Sequence, residues 1–221
     1  MHYLGLALYA EGSTDYFFLR PLLQRLCEEV CAQDATQPVE VNEVIALDHP
    51  TSQRAASRDE RILAAARQSR GAWKILFVHA DGSGNSAQVR ERLTRPAIDL
   101  LGQHFAAEGV GVAVVPVRET EAWAITDGDA LRQVFGTTLS DTALGLPASS
   151  SSVEAAHDPK AILKAAFDAT RPSGQRRRLG ISPMLNALGE QVSLARLRQL
   201  AAFSTLESEL RAGLQRLHIL A

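Results

Sequence analysis

Three short runs of almost uninterrupted apolar residues constrain the fold of this chain more than any other feature of its sequence. They cover residues 3–9, 74–79 and 110–117. Apolar side chains on both sides of a strand are typical of a parallel sheet whose two faces are covered by helices. A fourth run, residues 39–47, begins by alternating apolar and polar residues, so we expect it to lie nearer an edge of the sheet.

Helical periodicity separates these four runs. Apolar residues recur at steps of three and four over residues 15–31, 58–70 and 86–107, as they do along one face of a helix. Pro21 and Pro96 lie inside the first and third stretches and predict a kink and a bend, because proline has no N–H to donate. The order β-α-β-α-β-α-β predicts right-handed crossovers and an α/β fold of about four mainly parallel strands flanked by helices.

The sequence changes character after residue 117, where no further strand is predicted. The small polar residues 147–152 predict a surface loop. Further helices are predicted over residues 119–126, 129–135, 159–170, 182–188, 193–200 and 205–217. The sequence therefore predicts an α/β domain over residues 1–127 and a C-terminal helical extension, residues 128–221, packed on it.

Composition limits the partners and the compartment. The 23 Lys and Arg residues nearly balance 25 Asp and Glu, so nucleic-acid binding would need a local basic patch or a metal ion. No apolar run approaches the ~20 residues of a membrane-spanning helix, so no membrane insertion is expected. The only cysteines, Cys27 and Cys31, have no companions at zinc-ligand spacing and predict buried thiols in a reducing cytoplasm.

Acidic residues follow three of the predicted strands. Glu11 follows the first, Asp81 the third, and Glu119 and Glu121 the fourth. Because the carboxyl ends of parallel strands meet at one edge of a sheet, these side chains are expected to converge. Clustered carboxylates repel one another, and Mg²⁺ or Mn²⁺ relieves the repulsion. The sequence predicts a metal site held by Glu11, Asp81 and Glu121, with Glu119 in support.

Several residues at this edge admit a structural interpretation as well. Asp15 is either a supporting member of the site or a carboxylate of the first turn of a helix. Glu119 and Glu121 could likewise be carboxylates of a first helical turn rather than members of the site. His79 ends a buried strand, so a satisfied core histidine is favoured over a ligand.

Two sets of residues are candidates for binding phosphate near the acidic edge. Ser13 and Thr14 can cap the first helix, whose N-terminus favours an anion. Ser83 and Asn85 follow Asp81 in a glycine-rich loop and can contact a phosphate oxygen or a metal-bound water.

A local basic patch is present farther along the chain. Residues 171–178 contain four arginines in an apparent loop, among them Arg176, Arg177 and Arg178. Guanidinium groups bind phosphate through paired hydrogen bonds, so these arginines are the best candidates for contacts with a nucleic-acid backbone. A solvated surface loop is the alternative.

The segment AEGSTDYFFL, residues 10–19, resembles the opening motif of Toprim domains, the catalytic fold of topoisomerases, primases and overcoming-lysogenization-defect nucleases. In that family a glutamate after the first strand acts as general acid or base, and an Asp-x-Asp motif after the third strand holds Mg²⁺. Glu11 matches the glutamate and Asp81 the first aspartate. Ser83 stands at the second aspartate, so the resemblance leaves one carboxylate missing, which Glu121 could supply.

Nearly the whole chain is similar to a bacterial Toprim-like family of unknown function, of the DUF4276 type. The shared features include the FLRPLL segment after the opening motif, the Glu-Ala-Trp segment at residues 121–123 and the Asp-Pro-Lys helix start at residues 158–160. Members of that family often accompany ATPases in bacterial defence systems. The resemblance therefore implies an ATPase partner and a defence role.

Three functions are compatible with these residues. The first is metal-dependent phosphoryl transfer, most simply hydrolysis of phosphodiester bonds in DNA or RNA, with Glu11 as general acid or base. The second is a catalytically inactive Toprim-shaped binding or regulatory subunit of an ATPase, which Ser83 favours. The third is a phosphohydrolase that acts on nucleotides with the same carboxylates.

Overall fold

A computed structural model describes residues 2–48 and 56–221 of the chain. Its four strands are β1 (His2–Tyr9), β2 (Val39–Ala46), β3 (Ile75–His79) and β4 (Val110–Val114). All strand pairs are parallel, and the strands lie side by side in the order β2-β1-β3-β4. The predicted α/β fold is confirmed, and the partly alternating run, β2, forms an edge of the sheet.

Helices connect the strands and make up the C-terminal part. They are α1 (Asp15–Asp34), α2 (Arg58–Gln68), α3 (Ser86–Val89), α4 (Arg95–Phe105), α5 (Glu121–Ala124), α6 (Gly128–Phe135), α7 (Ser150–Ala155), α8 (Pro159–Ala169), α9 (Gly174–Leu179), α10 (Leu185–Gln191), α11 (Leu194–Leu197) and α12 (Ala201–Arg216). None of the helices described here is both long and apolar enough to cross a bilayer.

The two internal prolines have different effects. Helix α1 continues through Pro21. Pro96 is the second residue of α4, directly after a π-helical stretch, Arg90–Thr94, that joins α3 to α4. Because Pro96 has no N–H to donate, the regular hydrogen-bond register is interrupted where the sequence predicted a bend.

Side chains of β3 alternate between two apolar layers. Ile75 and Phe77 pack with α1 and the C-terminal helices, whereas Leu76 and Val78 pack with α2 and α4. This alternation follows from the two-residue period of a strand. It places the next residue, His79, on the side of the sheet that α1 covers.

The C-terminal helices complete the layer on the α1 side. Helix α10 packs on α1, and α12 packs on β4. The backbone of α12 comes close to the sheet at Gly213, where a Cβ would lie 3.6–3.7 Å from side-chain atoms of Ile75, Val110 and Val112. The C-terminal part thus shares an apolar layer with the sheet. The predicted division into an α/β domain and a helical extension at residue 127 stays a prediction.

Two segments predicted as loops contain helices. The prediction for residues 147–152 is wrong from Ser150 onward, because the Ser149 side chain accepts the Ser152 N–H and caps α7. The loop prediction for residues 171–178 is wrong from Gly174 onward, where α9 begins. Contacts of α9 with distant segments, described below, keep this helix in place. The local sequence pattern could not predict them.

The two cysteines are free and buried, as predicted. Both lie on α1, in the apolar layer that covers the sheet. Burial raises the pKa of the Cys31 thiol to about 11 and raises that of Cys27 well above its ordinary value. Both side chains are therefore neutral thiols at physiological pH and poor nucleophiles.

The packing of α12 on the sheet predicts a large effect of truncating Leu210, which is fully buried. We expect Leu210→Ala to lower the free energy of unfolding by about 2–5 kcal/mol in urea titrations, because it leaves a cavity in the shared layer. The control is Leu179→Ala on α9, whose residue is 54% exposed; its effect should stay below about 0.5 kcal/mol. Equal effects of the two substitutions would contradict the packing described.

Candidate metal centre

The carboxyl edge of the sheet brings Glu11 and Asp81 together. The register of β1 and β3 pairs Tyr9 with Val78, so the segments that follow these two strands leave the sheet side by side. The Asp81 backbone N–H then donates a hydrogen bond to Glu11 Oε2, at 3.2 Å. The Glu11 side chain is exposed and that of Asp81 is partly exposed, so a ligand can reach both.

His79 lies beneath these two residues and is fully buried. Its Nδ1 accepts the Glu11 N–H at 3.4 Å and lies 3.6 Å from Asp15 Oδ2. Its Nε2 lies 3.4 Å from Asp81 Oδ1, and neither of these two buried atoms has a hydrogen-bond partner among residues 2–48 and 56–221. Such orphaned atoms are costly in a protein interior unless something else satisfies them.

Asp15, His79 and Asp81 form a group that could hold a metal ion. In the part of the chain that the structure describes, their ligand atoms all lie within 4.8 Å of one another. Glu11 and Glu121, predicted with Asp81 as ligands, are outside this group. His79 is buried and its Nδ1 accepts a hydrogen bond, as expected for a core histidine, whereas its Nε2 has no hydrogen-bond partner within the described residues.

The Asp15 carboxylate is held in place from two sides. Its Oδ2 accepts the Gly12 N–H at 2.9 Å, and its Oδ1 accepts the hydroxyl of buried Thr120 at 2.5 Å. Asp15 thus links the start of α1 to the loop after β4. The capping predicted for Ser13 or Thr14 is not seen, since Thr14 occupies the cap position without a side-chain capping bond and Ser13 is exposed.

Glu121 begins α5 at the same edge. Burial raises its pKa, and the charges of Glu119 and Asp15 raise it further, while a backbone hydrogen bond and Lys160 act in the opposite direction. Glu119 Oε2 is also buried, with no hydrogen-bond partner in the described ranges. Acidic groups therefore continue from the metal-binding group toward α5, and the ligand role predicted for Glu121 stays a prediction.

The loop after Asp81 is locked against the segment that follows β4. A Cβ on Gly82 would lie 2.0 Å from the carbonyl oxygen of Pro116, so only glycine fits this close approach. Ser83 and Gly84 both have positive φ angles, 49° and 87°. The Gly84 N–H donates to the Val117 carbonyl at 2.8 Å. These contacts position Asp81 independently of any ligand.

The polar residues of this loop have different environments. Ser83 is exposed. The Asn85 side chain accepts the Gln88 N–H and caps α3, so one of its oxygen lone pairs is already used. A phosphate-binding role for Ser83 and Asn85, like that for Ser13 and Thr14, stays a prediction.

Of the four arginines in residues 171–178, Arg176 has a structural role and the other three are exposed. The Arg176 guanidinium donates to the Phe135 carbonyl and lies 5.5 Å from the centre of the Phe167 ring. It anchors α9 to α6 and α8. Arg177 and Arg178 are exposed and are available to solvent on α9. Phosphate binding by the three arginines stays a prediction.

Comparisons of the chain with protein-family models, with curated proteins and with solved structures found no match. The resemblance to Toprim domains therefore stays an expectation from the sequence, with which the parallel four-stranded sheet is consistent.

The partly buried position of Glu121 predicts a pH-dependent stability. Because its pKa is raised above 4.5, its contribution to stability is present below pH 4.5 and is lost as the pH rises through the folded-state value. In urea titrations with chelator, the wild type should lose more stability than Glu121→Gln between pH 4.5 and neutral pH. The exposed Glu91→Gln control should follow the wild type, and parallel curves for all three proteins would refute the prediction.

Proposed function

We propose that this protein is a metal-dependent phosphoryl-transfer enzyme, most simply a nuclease that hydrolyses phosphodiester bonds in DNA or RNA. The observation that carries the proposal is the buried His79 ring between the carboxylates of Asp15 and Asp81, with Glu11 beside them. Two carboxylates brought this close need a compensating positive charge. A divalent cation supplies that charge and also attracts phosphate.

The donor set fits a first-row divalent cation. Asp15 and Asp81 offer oxygen ligands, and His79 offers Nε2 in the tautomer whose ring proton is on Nδ1. In that tautomer Nδ1 no longer accepts the Glu11 N–H, and its proton lies toward Asp15 Oδ2, 3.6 Å away. Carboxylates suit Mg²⁺ and Mn²⁺, whereas an imidazole is uncommon for Mg²⁺, so Mn²⁺ is the better candidate of the two. When bound, such an ion stabilises charge on a phosphoryl oxygen and activates water.

The remaining residues position groups for the reaction. Glu11 is anchored through Oε2, which accepts the Asp81 N–H, and its carboxylate is exposed at the edge. This placement suits a general base that accepts a proton from the attacking water. Asp15 is held beside His79 by the hydrogen bonds from Thr120 and Gly12.

One observation favours the alternative of an inactive binding or regulatory subunit. Ser83 stands where the Toprim resemblance expects a second metal-binding aspartate, and its backbone has a positive φ of 49°. In that case the metal-binding group would bind an ion without turnover. The ATPase partner and the defence role rest on the sequence resemblance alone.

Metal binding is the first test of the proposal. We expect isothermal titration to show Mn²⁺ binding, with Asp81→Asn and Asp15→Asn each weakening it at least tenfold because each removes a charged ligand. The exposed Glu91→Gln control should bind like the wild type. A folded wild-type protein that binds neither Mn²⁺ nor Mg²⁺ would refute the metal centre as proposed.

Catalysis is tested separately with Glu11→Gln. We expect this variant to retain Mn²⁺ binding but to cleave single- or double-stranded DNA or RNA ~10²–10⁴-fold more slowly, because it lacks the general base. Wild-type cleavage rates in Glu11→Gln would show that the assigned base is wrong. Cleavage of nucleotides without any cleavage of polynucleotides would support the small-molecule phosphohydrolase, and Mn²⁺ binding without any cleavage would support the inactive subunit.

A further inference from the structure

A groove of about 670 Å³ lies between α8 and the segment that follows α9. We call it the basic groove. Its cationic side chains are Lys160, Lys164 and Arg177, and Glu121 and Asp168 also line it. Its apolar lining includes Ile181, which is partly exposed, and the buried Leu163 and Leu185. Positive charge along a groove is typical of sites that follow the backbone of a single-stranded nucleic acid.

The basic groove meets the acidic edge of the sheet at one end. Thr14 and Glu121 line this end. A smaller cavity shares Thr14, Glu121 and Leu185 with the groove, and it also touches Asp15 and Thr120. Because Thr120 donates to the Asp15 carboxylate, the groove ends beside a member of the metal-binding group.

Two of the cationic side chains in the groove are accessible to an anionic ligand. Lys160 and Arg177 are exposed, and among the described residues no carboxylate forms an ion pair with either, although the charge of Lys160 lowers the pKa of Glu121 in the same lining. Lys164 is paired with Asp168 at 2.7 Å. Lys160 and Lys164 lie about one turn apart on α8, ~5.4 Å along the helix axis, so positive charge follows the wall of the groove.

We propose that the basic groove binds a single-stranded segment of a nucleic-acid substrate and leads it to the candidate metal centre, an inference that rests on the proposed function. The phosphates contact Lys160 and Arg177, and a sugar or base lies on Ile181, which is partly exposed. A single strand fits this surface because its bases are free to contact that side chain. A duplex keeps its bases stacked inside and would leave Ile181 without a partner.

The test measures binding without cleavage. Fluorescence anisotropy in EDTA, with a labelled oligothymidine and a duplex of the same length, compares the wild type with the double variant Lys160→Gln/Arg177→Gln. We expect the variant to bind the single strand at least tenfold more weakly. The slope of log K against log salt should also fall in magnitude by about 1.4, since each lost phosphate contact accounts for ~0.7.

The matched control is Lys74→Gln/Arg92→Gln. Both residues are exposed, and Lys74 lies at the opposite end of the sheet, directly before β3. This control removes the same two positive charges and should bind the single strand like the wild type. Circular dichroism and thermal unfolding verify that both double variants are folded, which is expected because all four side chains are exposed.

A second measurement locates the strand directly. Oligonucleotides containing 4-thiouridine should crosslink to peptides of α8 and of residues 177–185, as identified by mass spectrometry. Equal binding by both double variants, or crosslinks confined to other parts of the chain, would overturn the groove proposal. Preferential duplex binding, or binding of mononucleotides alone, would do the same.

The outcomes separate this proposal from the proposed function. A protein that binds the single strand through the groove in EDTA but cleaves nothing with Mn²⁺ would support the groove and refute the nuclease. Cleavage that is lost in Glu11→Gln but unchanged in Lys160→Gln/Arg177→Gln would support the nuclease and overturn the groove.

Discussion

The parallel pairing of β1 with β3 is the constraint on which the candidate site depends. It pairs Tyr9 with Val78, so the loops that carry Glu11 and Asp81 begin next to each other. A slip of this register by one residue would turn every β3 side chain to the opposite face of the sheet and would move His79 away from α1. The backbone hydrogen bonds of the sheet therefore position the charged groups before any ligand is present.

Much of this arrangement could be predicted from the sequence, because it depends on local patterns and one rule of topology. Runs of apolar residues predicted the central strands, and the end of β3 at His79 was predicted to the residue. The rule that parallel strands share a carboxyl edge was enough to bring Glu11 beside Asp81. Neither step needs information about distant side chains.

The parts that could not be predicted depend on contacts between distant segments. Thr120 was not singled out, because nothing in its neighbourhood shows that its hydroxyl reaches Asp15. The arginine-rich segment looked like a loop, because the contacts of Arg176 with α6 and α8 are tertiary. His79 did carry a usable signal: two-residue alternation in β3 places it on the same face as Phe77, toward the helix that begins with Asp15.

The hydrogen bond from Thr120 to Asp15 has a thermodynamic consequence. Thr120 directly precedes α5, whose first residue lines the basic groove, while Asp15 belongs to the metal-binding group. Any displacement of this short helix by an occupant of the groove would be transmitted to the orientation of the aspartate. By linkage, the affinity for the ion and the affinity for that occupant would then change by the same factor, so that the two binding events would be coupled.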